Sequence, residues 1–452
     1  MIDAFTGMSL WVVDSEGNLL TYGPLRLERK LYPVGQGSFY AERFMDGDIC
    51  KACVVYDCGS RKKEKVQDVV GNEFDRQHSG DIDALFISHL HEDHINGIES
   101  LRKKHNVKRV FLPFLYKNLE IRRLLFLYEI ASRNVRKDKL ENLYRIMCSY
   151  EDVFGDKTSI IYVRAFDDNE DVSVNGFDLT ALDNGKEIGS FQSIRIDSLW
   201  KYTPFNFNVE EKYKAFKAEI EQSGLRNLLD LKISYKEILD VLAAPSQSKE
   251  KAGTAKKNFD LLKDIYGKVS LGTNRKEDLN KDSMMLYSGP VDTEAVFNVE
   301  DCLGINNCTG IRETKKIKEK AGCLYLGDMD MNQEYGLAEC RRKVFDIISA
   351  KLKSDLPQLD MIQVPHHGSA DSYSPKLLEL NAKTEHYFVS YGKDNHYGHP
   401  SSDVVKDIAS KGKLLSCVTE DKDSFCTISY HFPEILWGKP EENGTSDAPQ
   451  AN

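Results

Sequence analysis

No stretch of this sequence approaches the roughly 20 consecutive apolar residues of a membrane-spanning helix, which argues against a helical membrane protein. The first residues, Met1-Ile-Asp-Ala-Phe5, carry no positive region, and Asp14 interrupts the apolar run Leu10-Trp-Val-Val13. A signal peptide is therefore not expected, and a cytoplasmic location follows. Cysteine is sparse: the ten are scattered between positions 50 and 426 without the density of a disulfide scaffold. Cys50-Lys-Ala-Cys53 has no second pair at zinc-ribbon spacing. It reads as ordinary buried thiols within a strand, consistent with a reducing compartment. An excess of basic residues is also missing. The net charge is −10, from 71 acids against 61 bases, which disfavours broad adhesion to nucleic acid. A local basic channel stays open, because screening over about 8 Å leaves only near charges to matter.

What is present describes a soluble globular chain, 41% hydrophobic and 29% charged over 452 residues, long enough for one large domain or two ordinary ones. Its most informative stretch is Asp83-Ala-Leu-Phe-Ile-Ser88 running into His89-Leu-His91-Glu-Asp93-His94. The first six residues are apolar, bounded by polar ones and too short for a helix, so they predict a buried strand. Two positions apart on extended backbone, His89 and His91 project to the same side. Asp93 and His94 fall where Ile95, Ile98 and Leu101 predict a helix. Two pairs of ligands aimed at neighbouring points suit two metal ions sharing a hydroxide.

Other stretches support this one. Trp11 to Tyr22 predicts a hairpin turning at Glu16-Gly17-Asn18. Val34-Gly-Gln-Gly37-Ser38 permits a tight bend and a close backbone approach to a ligand. Val54-Val-Tyr-Asp57-Cys-Gly59 reads as a strand ending in a carboxylate. The basic run Arg61, Lys62, Lys63 and Lys65 that follows is a solvated loop or a phosphate contact. Strands are expected over 107–115, 159–165 and 172–182, the last turning at Asn175-Gly176, with helix over 118–154. Around 187–278 the pattern becomes a mostly helical insertion or cap, whose Trp200, Tyr202, Phe205 and Phe207 read first as anchors to the host domain and second as base-stacking platforms.

Leu326-Gly-Asp328 lets a carboxylate project from a sharp turn, and the preceding glycine favours Asp328 over its neighbour Asp330. Pro365-His366-His367-Gly368-Ser369 delivers two adjacent histidines after an apolar strand; neighbours on a strand point opposite ways, so at most one is a natural ligand. Asn395, Tyr397 and His399 follow on a loop of hydrogen-bonding residues, and 439–452 reads as disordered.

Taken in order, Val34-Gly-Gln-Gly37-Ser, Asp57-Cys-Gly59, the His89–His94 loop, Asn280-x-x-Ser283, Leu326-Gly-Asp328, Pro365-His-His-Gly-Ser369 and Tyr397-Gly-His-Pro400 resemble the metallo-β-lactamase domain of ComEC-type competence proteins. The resemblance implies an α+β fold, an αββα sandwich whose halves lie in 1–186 and 279–438 around the 187–278 insertion. It implies His89, His91, Asp93, His94, Asp328 and His367 as ligands of two divalent ions, Zn²⁺ first and Mn²⁺ second. Asp328 would bridge the ions, and Asp57 would support the loop from behind. His366, Ser369, Asn395 and Tyr397 would meet substrate or orient ligands, and His399 would protonate the leaving oxygen. Two departures stand out: His91 replaces a common Asp, and no histidine lies between His105 and His366 to serve as the usual third histidine of the first ion. Asp282, Asn280 or water is then expected to complete that site.

The leading expectation from these residues is a metal-dependent phosphodiesterase, most directly a nuclease acting on nucleic acid. The alternative is a hydrolase of a small substrate: a cyclic nucleotide, a phosphoester, a lactone or a thioester. A non-catalytic metal-bound scaffold stands third. Neither a membrane partner nor an oligomeric state is indicated.

Overall fold

The computed structural model describes residues 12–13, 19–20, 22–132, 137–168, 176–207, 210–246, 257–271, 283–293, 295–303, 312–318, 320–335 and 341–433. The arms of the first hairpin pair as expected, Val12 with Leu20 and Val13 with Leu19. Its turn, together with Asn280, Asp282 and the 439–452 tail, lies outside the described residues.

Two large sheets organise a mixed fold of helices and strands. In the ten-stranded sheet, Tyr22–Leu31, Phe39–Asp46 and Ile49–Cys58 form an antiparallel meander. From Ile49–Cys58 outward, Ala84–Phe86, Arg109–Pro113 and Ser159–Val163 run parallel. On the other flank Cys426–Pro433 pairs with Tyr22–Leu31, and Phe297–Leu303 and Arg312–Lys318 lie beyond it. The eight-stranded sheet carries Gly322–Tyr325, Leu359–Gln363, His386–Ser390 and Leu414–Val418 in parallel. Met285–Pro290 and Trp200–Phe205 continue it antiparallel. Parallel neighbours need crossovers, and helices such as Val344–Lys351 and Ser402–Ser410 supply them.

The sheets meet through a shared core in which Leu27, Tyr40 and Phe86 of one pack among Trp200, Tyr325 and Phe388 of the other. A buried ion pair lies inside it. Arg29 Nε is 2.7 Å from Glu42 Oε1, and Tyr202, Ser288 and Tyr325 donate to the same carboxylate at 2.7, 2.6 and 2.8 Å. Arg29 also donates to the Ala321 carbonyl at 3.1 Å. Arg29, Glu42 and Tyr430, which accepts from Arg29 at 3.1 Å, come from the first sheet, and Tyr202, Ser288 and Tyr325 from the second, so the network ties the layers together.

Trp200–Phe205 is a sheet strand, and the aromatic side chains expected to anchor an insertion are buried in the cores: Trp200, Tyr202, Phe205 and Phe207 are at most 3% exposed. None is available to stack on a base. Helices begin at Glu210 and comprise Glu210–Gln222, Tyr235–Ala243 and Asn258–Leu271. They pack on the helix Leu119–Ser132, whose Tyr128 ring meets Phe216 and Tyr266. Of the 172–182 strand, 172–175 lie outside the described residues; Phe177–Asp178 is strand, and the chain then turns where Asp178 accepts from Thr180 N–H. Among the described residues no helix is long and apolar enough to cross a membrane.

Candidate metal centre

The parallel strands of both sheets end at one edge, and the loops after them build the centre. Ser88 follows the strand Ala84–Phe86, and its N–H and hydroxyl both donate to Asp57, each at 2.7 Å. Asp57 also receives His94 Nδ1 at 2.8 Å. Three contacts on one fully buried carboxylate fix the loop from His89 to His94. Burial raises the Asp57 pKa and His94 counters it. The two glycine motifs serve the same loop. A Cβ on Gly37 would stand 2.5 Å from the Asp93 carbonyl oxygen, and one on Gly59 2.5 Å from the Asp93 carbonyl carbon. Their close approach is therefore to the backbone that carries the ligands. Asn96 completes the clamp by accepting from Ser60 N–H at 3.0 Å, a contact with no sequence signal.

The second sheet contributes the other half. Gly327 takes φ +53°, and Asp328 N–H donates to Ser283 Oγ at 2.8 Å. Ser283 Oγ is also 3.1 Å from His89 Nδ1, so this serine joins the two halves. His366 and His367 both adopt positive φ, 49° and 55°, rather than extended backbone. The pleat rule therefore does not apply to them, and both imidazoles approach Asp328, each with Nε2 at 3.8 Å from a carboxylate oxygen. His367 Nδ1 is 2.8 Å from the Ser390 carbonyl. A carbonyl only accepts, so Nδ1 carries the hydrogen and Nε2 presents its lone pair.

Asp328 is the centre of convergence. His94 Nε2 lies 3.4 Å from its Oδ1 and His89 Nε2 3.9 Å from its Oδ2. His367 Nε2 is also 3.7 Å from Asp93 Oδ2. Two ligand atoms each about 2.1 Å from one ion are about 3.4 Å apart at a tetrahedral angle, close to these spacings. Among the described residues two buried groups could hold an ion, His89 with His94 and Asp328, and Asp93 with His94 and His367. Nε2 of His89, His94 and His367 and Oδ1 of Asp328 are buried without a hydrogen-bond partner, a state that is costly unless something else satisfies them. These residues fit a divalent cation. His91 stands beside the groups, its ring 4.5 Å from that of His89, with Nε2 3.2 Å from Glu129 Oε1.

Burial opposes charge on His94, but Asp328 and Asp57 outweigh it and hold its pKa well above the ordinary histidine value. Burial, then His94 and His91, push His89 well below it. Burial works against the Asp328 carboxylate, yet His94, His366 and His367 hold its pKa well below the usual range. Because Asp57 orients both Ser88 and His94, Asp57→Asn is expected to weaken metal binding roughly 10–100-fold, as read by calorimetric titration of Zn²⁺.

At the mouth, Arg61 Nε is 3.6 Å from Asp93 Oδ2, and its guanidinium sits 4.6 Å over the exposed Tyr397 ring. Tyr397 stacks on His399, with ring centroids 5.7 Å apart. Asn395 accepts from His399 N–H and donates to the His399 carbonyl, bracing the loop. His366 Nδ1 meets Ser372 Oγ at 2.8 Å, and Ser369 N–H donates to the His366 carbonyl. Burial and the neighbouring His366 and His367 lower the His399 pKa to about 4. Its resting ring is neutral at pH 7, so it starts as a hydrogen-bonding group rather than a loaded acid. Of the other basic residues, Lys62 pairs with Glu420 at 2.7 Å.

A buried His and Asp centre at the strand ends, beneath a polar mouth, offers side-chain atoms that could hold a metal ion. The family model that matches the chain is that of the anti-Pycsar protein Apyc1, over residues 30–154. That span holds Asp57, Arg61, the His89–His94 loop and Glu129; Asp328, His366, His367 and His399 lie outside it. No curated protein matches. The match displaces the likeness to ComEC-type metallo-β-lactamase hydrolases. The nuclease reading, drawn from that likeness, is corrected with it: the finding favours the small-substrate alternative.

Proposed function

We propose that this protein hydrolyses the phosphodiester of a cyclic nucleotide at the centre around Asp328. The observation that carries the reading is the Apyc1 match across the loop that supplies four of the candidate ligands, since an anti-Pycsar family suggests degradation of a cyclic nucleotide signal. The acidic net charge suits a small substrate better than a polymer. His89, His91, Asp93, His94, Asp328 and His367 would hold two divalent ions, with Zn²⁺ favoured by the imidazole share and Mn²⁺ by the carboxylates. Such ions, when bound, offset phosphate charge and bring water toward a pKa of about 7.

The chain's own residues do the rest. Asp57, Ser283 and Ser390 hold the ligating rings in register. The Arg61 guanidinium takes a non-bridging phosphate oxygen, and Tyr397 presents an aromatic face beside it for the base. In the hydrolysis, water oxygen bonds to phosphorus, the ring ester P–O bond breaks and the leaving alkoxide gains a proton. His399 lies beside His366, with ring centroids 5.9 Å apart, where its neutral ring binds the phosphate or passes on that proton once the anion has raised its pKa.

A panel of cyclic mononucleotides and cyclic dinucleotides, run with Zn²⁺ or Mn²⁺ beside single- and double-stranded DNA and RNA, tests the reading. Turnover of a cyclic nucleotide with the polymers intact is expected. Cleavage of a polymer, a lactone or a thioester while every cyclic nucleotide survives would overturn it. Arg61→Ala should lower kcat/KM by roughly 10–100-fold, the worth of one charge-assisted hydrogen bond of about 1.5–3 kcal/mol. Steady-state kinetics should show the loss mainly in KM, with an unchanged thermal midpoint because the side chain is partly exposed in a loop.

A further inference from the structure

Four imidazoles of the centre are gripped through one ring nitrogen, and the opposite nitrogen is what each can offer an ion. His89, His94, His366 and His367 are gripped through Nδ1, by Ser88 and Ser283, by Asp57, by Ser372 and by the Ser390 carbonyl. His91 faces a carboxylate with its other nitrogen: Nε2 lies 3.2 Å from Glu129 Oε1, within ion-pair distance. Glu129 sits in the helix Leu119–Ser132 and is 1% exposed, as is His91. A carboxylate buried this deeply is costly unless paired. Its helix is backed from outside by Glu210–Gln222 and Asn258–Leu271, which press on the neighbouring Tyr128. The arrangement holds Glu129 against the histidine loop.

We infer that Glu129 is the positioning residue of the first metal site. With its carboxylate facing Nε2 of His91, it favours the tautomer whose Nδ1 lone pair can meet a cation, and it makes that nitrogen a stronger donor. The inference rests on the metal centre proposed above and not on the nature of the substrate.

The test is Zn²⁺ titration by calorimetry, with the absorption spectrum of the Co²⁺-loaded protein, on the full chain and its variants. In Glu129→Ala one of two ions should bind roughly 10–100-fold more weakly, with the other unchanged and the Co²⁺ bands altered. Glu129→Gln keeps an accepting oxygen without the charge and should fall between. In a His91→Ala background, Glu129→Ala should cause no further loss, because the two residues act as one unit. Wild-type affinity and spectrum in a folded Glu129→Ala overturn the inference, as does an equal loss in the His91→Ala background. Should the alanine variant fail to fold, Glu129→Gln decides, and wild-type behaviour there overturns it too. No nucleotide enters these measurements. Failure here leaves the proposed substrate standing, and lack of turnover by a fully metal-loaded protein would overturn the substrate while leaving Glu129 in its role.

Discussion

Asp328→Asn is expected to lose hydrolysis by roughly 10³-fold or more, with metal content falling in parallel. The size follows from the position of the side chain. Asp328 is approached by His89, His94, His366 and His367 within 3.9 Å, and among the described residues it is the one carboxylate that all four face. An amide keeps the shape but removes the charge that answers a cation. Loss of several kcal/mol of transition-state charge stabilisation corresponds to about three powers of ten. Metal analysis after dialysis and single-turnover hydrolysis of the best cyclic nucleotide check it. A variant that keeps its metal content and its rate would show that the centre does not depend on Asp328.

The second large effect concerns stability. Glu42→Ala is expected to destabilise the fold by about 3–5 kcal/mol, because it leaves Arg29 charged and buried without its partner. Tyr202, Ser288 and Tyr325 would lose their acceptor in the same stroke. The pH dependence has a definite sign. Burial works against the Glu42 charge, but Arg29 and the hydroxyl donors from Ser288 and Tyr202 hold its pKa below the ordinary glutamate value. A depressed folded pKa stabilises above the unfolded value and is lost as pH falls toward the folded one. Wild-type protein should therefore lose stability in acid more steeply than Glu42→Gln. Urea midpoints measured at neutral pH and stepwise below the ordinary glutamate value of 4.5 check both statements, and equal acid slopes would contradict the second.

The parts of the site that the sequence made legible are those whose geometry is local. Six residues after a short strand placed His89, Asp93 and His94, and a glycine singled out Asp328. Asp57 was legible as a strand-end carboxylate, although that it would grip Ser88 and His94 depends on a loop some thirty residues away. Left-handed backbone at both His366 and His367 replaces the extended backbone on which the alternation argument rested, while among the described residues His367 and not His366 joins an ion-holding group. The strand Trp200–Phe205 escaped because both its faces are covered, which removes the alternation that marks a half-exposed strand. Glu129 stayed silent among apolar neighbours: position 129 is one turn beyond Leu125 on the buried face, so an acid there was a signal, but its partner is 38 residues earlier on another element. Arg61 was recognised only as a basic loop residue, since nothing in its run tells it from Lys62.

The placement of Cys426–Pro433 bears on how the molecule is made. These eight residues fill an interior row of the ten-stranded sheet, between Tyr22–Leu31 and Phe297–Leu303. A nascent chain emerging from the ribosome therefore carries two unmatched strand edges until translation has passed residue 433, and unmatched edges invite pairing with other chains. A stop codon shortly before Cys426 would spare every candidate ligand yet leave the sheet in two pieces, so the product should be an aggregating polypeptide rather than a smaller hydrolase.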